Sequence, residues 1–235
     1  MSVPRTAQDL QAGLPPGLEG IQRGVVAFDA PGSWGLPTFR GRLSELSGGP
    51  ASAVLSLTFR LVLEAQKLGE PVAWATSRAS CFFPPDVAAS GIDLGALALL
   101  RLPGPRHLPR AADALLRSGG FGLVVLDLGC HRELSLPVQS RLAGLANRHR
   151  TALLCLTEKP MQQGSLGPLV SLHIEARHLG KSGDEEGEVR HSCAARVLKD
   201  KRGSSLHGPW IHQGGAEKSE NWLHRELCRG PYGLR

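Results

Sequence analysis

From residue 41 the apolar and polar positions fall into short blocks that switch period, from two to three or four and back. Residues Arg42–Ser47 read as a strand that ends in the turn Gly48-Gly49-Pro50. Helical spacing follows from Ser52 to Leu68, and Gly69 stops it. Val72–Thr76 is the next strand. Pro84-Pro85-Asp86 opens a short helix to Ser90, and Gly91–Leu94 turns the chain into strand Ala98–Leu102. In Leu108–Ser118, Leu108, Ala111, Ala112, Leu115 and Leu116 share a helical face, while Arg110, Asp113 and Arg117 point elsewhere. Leu123–Leu126 is apolar throughout, as expected of a parallel strand covered on both faces. Helix Pro137–Arg148 and strand Ala152–Leu156 repeat the rhythm. Strict alternation of strand and helix predicts βαβ units, and so an α/β fold with a parallel sheet flanked by helices.

The rhythm changes after Pro160. Val170–Ala176 and parts of Glu188–Leu198 alternate, with Lys181–Gly187 between them. That pattern predicts an antiparallel hairpin closing the sheet, followed by a polar loop, Lys199–Gly208. In Glu217–Cys228, Trp222, Leu223 and Leu227 are spaced for a short amphipathic helix. Residues 1–40 are rich in Gly and Pro, with one short apolar run at Val25–Ala30. The expected division is an N-terminal arm at 1–40, a core at 41–208 and a tail at 209–235. Phe28 in the arm, and Trp222, Leu223 and Leu227 in the tail, are the candidate partner-binding residues.

Composition agrees with one loop-punctuated α/β domain: 235 residues, 41% hydrophobic but only 5% aromatic, with 29 Gly and 17 Pro. The net charge of +6 suits a nucleic acid, an acidic partner or a solvated basic surface. Basic residues gather between Arg101 and Arg150, and again at Arg196, Lys199, Lys201 and Arg202. No aromatics interleave with them, so base stacking is not indicated. Cys81, Cys130, Cys155, Cys193 and Cys228 are scattered, odd in number and without a CxxC pair. This argues against a disulfide framework and a zinc site. The polar N-terminus lacks the apolar stretch of a secretory signal, and no apolar run approaches a membrane span. A cytoplasmic protein is expected.

The turn at Gly48-Gly49 sits where a strand–loop–helix unit would cradle phosphate. Such a loop needs a Lys for the outer phosphates and a Ser or Thr for magnesium. Val54 and Leu55 occupy those positions and supply neither, while Ser52 precedes them. Asp127 ends the apolar strand Leu123–Leu126, read as neighbouring the strand that leads into the loop. There a carboxylate would help hold magnesium, although a turn or capping role is the preferred reading. Arg78, after the second strand, cannot accept a proton from water. Glu158, at the end of another strand, would repel phosphate. His173 with His178, and His207 with His212, stand five apart, which suits neither a helix-borne nor a strand-borne metal pair. No metal, no cofactor and no nucleophile elbow are expected.

The order of these elements resembles the core of the RecA recombinase family. Gly35-Leu36-Pro37, Arg40-Gly41-Arg42 and Leu43–Gly48 are similar to the approach to that family's phosphate loop, and Glu64–Gly69 to the end of the helix after it. Gly91-Ile92-Asp93-Leu94 and Leu115–Gly119 stand at the expected places, and Leu123–Asp127 matches the strand with the magnesium-site acid. By this resemblance Val54 and Leu55 replace the loop's Lys and Thr, Arg78 the catalytic Glu, and Glu158 the γ-phosphate-sensing Gln. The segments matching the DNA-binding loops, near Gly129–Pro137 and Glu158–Pro168, are short. A compact core with these departures resembles the ImuA group of bacterial DNA-damage-induced mutagenesis cassettes, with Arg196–Gly203 similar to the basic end of that group's core. The SulA division inhibitors share such a core but are shorter. The resemblance implies a non-catalytic partner in translesion synthesis and SOS mutagenesis. Its implied partners are RecA, an ImuB-type Y-family polymerase relative and, through the complex, an error-prone replicative-type polymerase. It implies weak DNA contact and association with the nucleoid on damage. The alternatives are a divergent RecA-family ATPase and a SulA-like division inhibitor.

Overall fold

The computed structural model describes residues 35–50, 52–77, 82–130, 134–160, 163–183, 189–203 and 222–226, with backbone alone at 177–183, 189–194 and 222–226. In chain order the elements are α1 (Leu36–Phe39), β1 (Arg42–Gly48), α2 (Val54–Lys67), β2 (Val72–Ser77), α3 (Pro84–Ala89) and β3 (Leu97–Leu102). Then come α4 (Leu108–Ser118), β4 (Leu123–Gly129), α5 (Leu136–His149), β5 (Ala152–Glu158), β6 (Leu172–Gly183), β7 (Val189–Asp200) and β8 (Trp222–Glu226). They form an 8-stranded sheet in the order β3-β2-β4-β5-β1-β6-β7-β8. The pairings from β3 through β6 are parallel, and β6–β7 and β7–β8 are antiparallel.

Side chains of the parallel strands alternate between two cores because strand residues point to opposite faces in turn. On one face Leu46, Trp74, Val125 and Leu154 pack under Leu57 and Leu61 of α2 and Val87 of α3. Trp74 is fully buried, with Phe59 at 5.8 Å and Phe82 at 5.0 Å between ring centroids. On the other face Leu43, Ala73, Leu126 and Leu153 pack under Leu108, Ala112 and Leu116 of α4 and Leu142 and Ala146 of α5. Gly119 ends α4 at φ +66°, and a Cβ there would come within 2.8 Å of His149 Nδ1. The left-handed backbone and the close approach both favour glycine.

Four features differ from the sequence expectations. Leu36 and Phe39 are buried in the α2-side core, so the core begins before residue 41. The strands β6 and β7 run to Gly183 and from Val189, so the hairpin is longer than its alternating segments and Lys181–Gly183 is strand. The expected tail helix is instead strand at Trp222–Glu226, where β7 offers a ladder, Arg196 opposite Trp222 and Ala195 opposite Leu223. Finally, β5 lies between β1 and β4, so Asp127 is not on a neighbour of the loop strand.

Candidate functional site at the ends of the central strands

The turn after β1 is narrow because Gly48 leaves no room. A Cβ at Gly48 would meet Ser52 and stand 2.8 Å from the carbonyl oxygen of Ala176. The turn folds on itself, Ser52 N–H donating to Gly49 O at 3.2 Å, and Pro50 has no N–H to offer. The expected helix start at Ser52 moves to Val54, and Ala53 precedes it without a side-chain cap. Val54 is 9% exposed and belongs to the α2-side core, and Leu55 packs against that core. Counted from Gly49 rather than Gly48, the phosphate-loop spacing puts Val54 at the second Gly, Leu55 at Lys and half-buried Ser56 at Ser/Thr. In either register an aliphatic side chain stands at the Lys position.

Of the acidic residues singled out from the sequence, Glu158 lies beside this turn and Asp127 stands two strands away. Asp127 is half-buried and its Oδ2 accepts a hydrogen bond from Thr76 Oγ1 at 3.0 Å, which ties β4 to β2. Glu158 is exposed and sits opposite Gly48 in the β1–β5 register. Arg78 falls outside the described residues, as do Phe28, Leu227, His207 and His212.

On the α5 side of the same strand ends is a polar cluster that the sequence did not reveal. Glu45, on β1, is fully buried. Its Oε1 accepts hydrogen bonds from Thr157 Oγ1 at 2.7 Å and from Lys159 Nζ, and its Oε2 from Leu166 N–H at 2.7 Å. Lys159 Nζ also donates to Gly164 O at 2.7 Å, and Lys159 N–H to Gly48 O at 2.9 Å. His173 Nε2 lies 2.8 Å from Ser47 Oγ and 3.8 Å from Glu45 Oε2. Burial pushes the His173 imidazole down to about 4, against the pull of Glu45 and with help from Lys159 and Lys199, so the ring is neutral near pH 7. Burial, reinforced by Glu45, pushes the Cys155 thiol far up, which makes it inert. Gln139 of α5 is buried and completes the cluster's frame. Its amide donates to Leu134 O at 2.6 Å and Leu166 O at 3.3 Å, and its Oε1 accepts from Leu169 N–H at 3.3 Å.

One carboxylate thus holds the β5–β6 connection from beneath, and one amide links it to the connection before α5. Ser47, His173 and Glu45 do not form a nucleophile relay, because hydroxyl and carboxylate both face the same ring nitrogen and all three are sealed from solvent.

The match with known sequences agrees with this architecture. The RecA protein of Rhodospirillum rubrum is 25% identical over 217 aligned residues, covering 78% of this chain and 58% of that protein. That of Gluconobacter oxydans is 24% identical, covering 77% of this chain and 61% of its own. The core is RecA-like. A shorter match, 28% identical, links 60% of the chain to 44% of the RecA protein of Phytoplasma mali. The chain therefore spans at most about three fifths of these RecA proteins. No protein-family profile matches it.

Outside this RecA-like core, Trp222 and Leu223 lie on β8, the last strand of the sheet. The basic residues on and just after β7 are not equivalent. Arg196 and Lys199 are half-buried, while Lys201 and Arg202 are exposed. Lys199 Nζ rests 3.4 Å from Gly167 O and 3.5 Å from Ser165 Oγ, and burial with nearby Lys201 lowers its pKa against the pull of Glu45. Among the described residues no helix is long and apolar enough to cross a membrane.

Proposed function

We propose that the chain is a non-catalytic RecA-like adaptor in DNA-damage-induced translesion synthesis and SOS mutagenesis. In this reading it binds an ImuB-type polymerase relative, RecA, or both, and limits RecA filament activity. The observation that carries the reading is the turn after β1, where Val54 is drawn into the core and Leu55 packs against it. A scaffold with a RecA-like sheet and an aliphatic side chain at the Lys position supports binding through its surfaces rather than turnover of nucleotide. A RecA-shaped subunit of this kind docks on a filament end and offers no bound nucleotide to the next subunit, so growth stops there.

Two measurements test it. Calorimetry with magnesium and ATP is expected to give no binding heat. Micromolar binding would favour a divergent ATPase built on Asp127 and Glu158. Added to RecA on single-stranded DNA, the protein is expected to shorten filaments and slow strand exchange. Unchanged filaments would sink the limiting role.

A further inference from the structure

The two helical layers that cover the sheet carry opposite charge. In α4, α5 and their flanks, residues 105–119 and 135–150 hold six arginines against one acid, Asp113. In α2, α3 and their flanks, residues 53–70 and 84–96 hold Glu64, Glu70, Asp86 and Asp93 against Lys67 and the buried Arg60. Asp113 does not cancel the arginine layer; it organises it. Its carboxylate is shared by Arg117 of its own helix and Arg141 of α5, and the Arg141 hydrogen bond first, then Arg117, hold it below the usual carboxylate range. Arg110 and Arg117 are seven residues apart on α4, as are Arg141 and Arg148 on α5. Two turns of helix place each pair about 10.5 Å apart on one face, and packed helices sit about 8–10 Å apart. With Arg117 and Arg141 meeting at Asp113, Arg110 and Arg148 extend a staggered guanidinium array along the two helices. Among the described residues no carboxylate pairs with Arg110 or Arg148, and both are exposed.

The fold then brings the distant second cluster to the edge of this array. Arg202 donates to Arg40 O at 3.0 Å and Gly41 O at 2.7 Å. Gly41 lies against Asn147 near the end of α5, where a Cβ would sit 3.6 Å from the Asn147 Cα. Lys201 donates to Pro168 O, and the loop carrying Pro168 is fastened to α5 through Gln139. Both ends of α5 thus adjoin the cations that follow β7, Lys201 and Arg202, and two basic stretches separated along the chain form one surface.

We propose that this α4–α5–β7 surface binds the phosphate backbone of duplex DNA without reading its sequence. Guanidinium groups match phosphate oxygens in two-pronged contacts. A protein partner would want an apolar anchor at the centre of the patch. Among the described residues the exposed large apolar side chains are Leu68, Phe83, Leu94 and Leu136, and only Leu136, at the first position of α5, is on these helices. A single strand would want aromatic platforms, and none lies exposed between the arginines. This surface is independent of the nucleotide turn, so its test and the adaptor test can fail separately.

The experiment is fluorescence anisotropy of a labelled mixed-sequence duplex with the full chain at stepped salt. About six phosphate contacts predict a roughly thousandfold loss of affinity between about 50 and 200 mM salt. The double variant Arg110→Glu/Arg148→Glu is expected to lose at least about tenfold at low salt and to show a shallower salt slope. Its melting temperature should stay unchanged, since both side chains are exposed. Lys67→Glu, on the opposite layer, is expected to leave binding as it was. The proposal is overturned by no duplex binding at low salt or by full binding in the double variant. It is equally overturned by tighter binding of the single strand, or by capture of polyglutamate in place of DNA.

Discussion

Two connections leave the central strands side by side and are closed by opposite means. The β1–α2 turn begins at Gly48 and the β5–β6 connection at Lys159, whose N–H donates to Gly48 O at 2.9 Å. The first is closed by apolar side chains, Val54 and Leu55, packing into or against the α2-side core. The second is closed on the other face by Glu45, Lys159 and Gln139. An apolar closure is non-directional and forgives many substitutions of similar size. An ionic closure out of water holds only while each partner is present, because a lone buried charge is costly. The described part of the β5–β6 connection, residues 163–171, is therefore the more tightly held of the two and the more fragile to single changes.

The largest expected effect comes from breaking the ionic closure. Glu45→Ala leaves Lys159 buried without its carboxylate and strips Leu166 N–H of its acceptor, so urea unfolding should show a loss of about 3–5 kcal/mol. Glu45→Leu combined with Lys159→Leu should recover most of that loss, as paired charges replaced by apolar groups often do. A double variant as unstable as the single would show that the charges are not what matters.

The next effect is a pH dependence. His173 has a folded pKa of about 4, against 6.5 for the free side chain. The unfolded chain then binds the extra proton between these values, so its share of stability is complete above about pH 6.5 and is lost as pH falls toward 4. The full loss is about 3 kcal/mol. Replacement by Gln should flatten that stretch of the stability–pH curve, and an unaltered curve would place the titrating group elsewhere. The smallest effect probes the apolar side. Gly48→Ala should lower stability by about 1–3 kcal/mol, because the new methyl meets the Ala176 carbonyl, a backbone atom that cannot swing away. A melting temperature equal to that of the parent would show the turn to be looser than its geometry.

Most of the α/β core was legible because buried parallel strands and amphipathic helices leave periodic marks. Leu108–Ser118 matches its predicted bounds, and the other core strands and helices up to β5 shift by a few residues at most. What periodicity does not carry is lateral order. Nothing in Leu123–Asp127 tells which strands flank it, so Asp127 was read one strand too close to the turn. The tail misled for a related reason: Trp222, Leu223 and Leu227 have helical spacing, but a ladder on β7 outweighs a local pattern that short. Glu45 was missed because a polar residue in Arg42–Ser47 looks like the wet side of a half-exposed strand. In fact all seven residues of β1 are buried, and the partners that satisfy Glu45 lie far along the chain, in Thr157, Lys159 and Leu166.

The strand order also dictates a timetable for synthesis. Among the described residues β1 is the first strand made, yet the strands it hydrogen-bonds are β5 and β6. While β2, β3 and β4 can pair as they emerge, among the described strands β1 has no neighbour until Ala152 and the residues after it exist. At about 5–20 residues per second the nascent chain carries Leu43 and Leu46 unsheltered for several seconds or more. The strand that leads into the turn is thus inserted late into a gap between two strands, and its register is set by residues translated long after it.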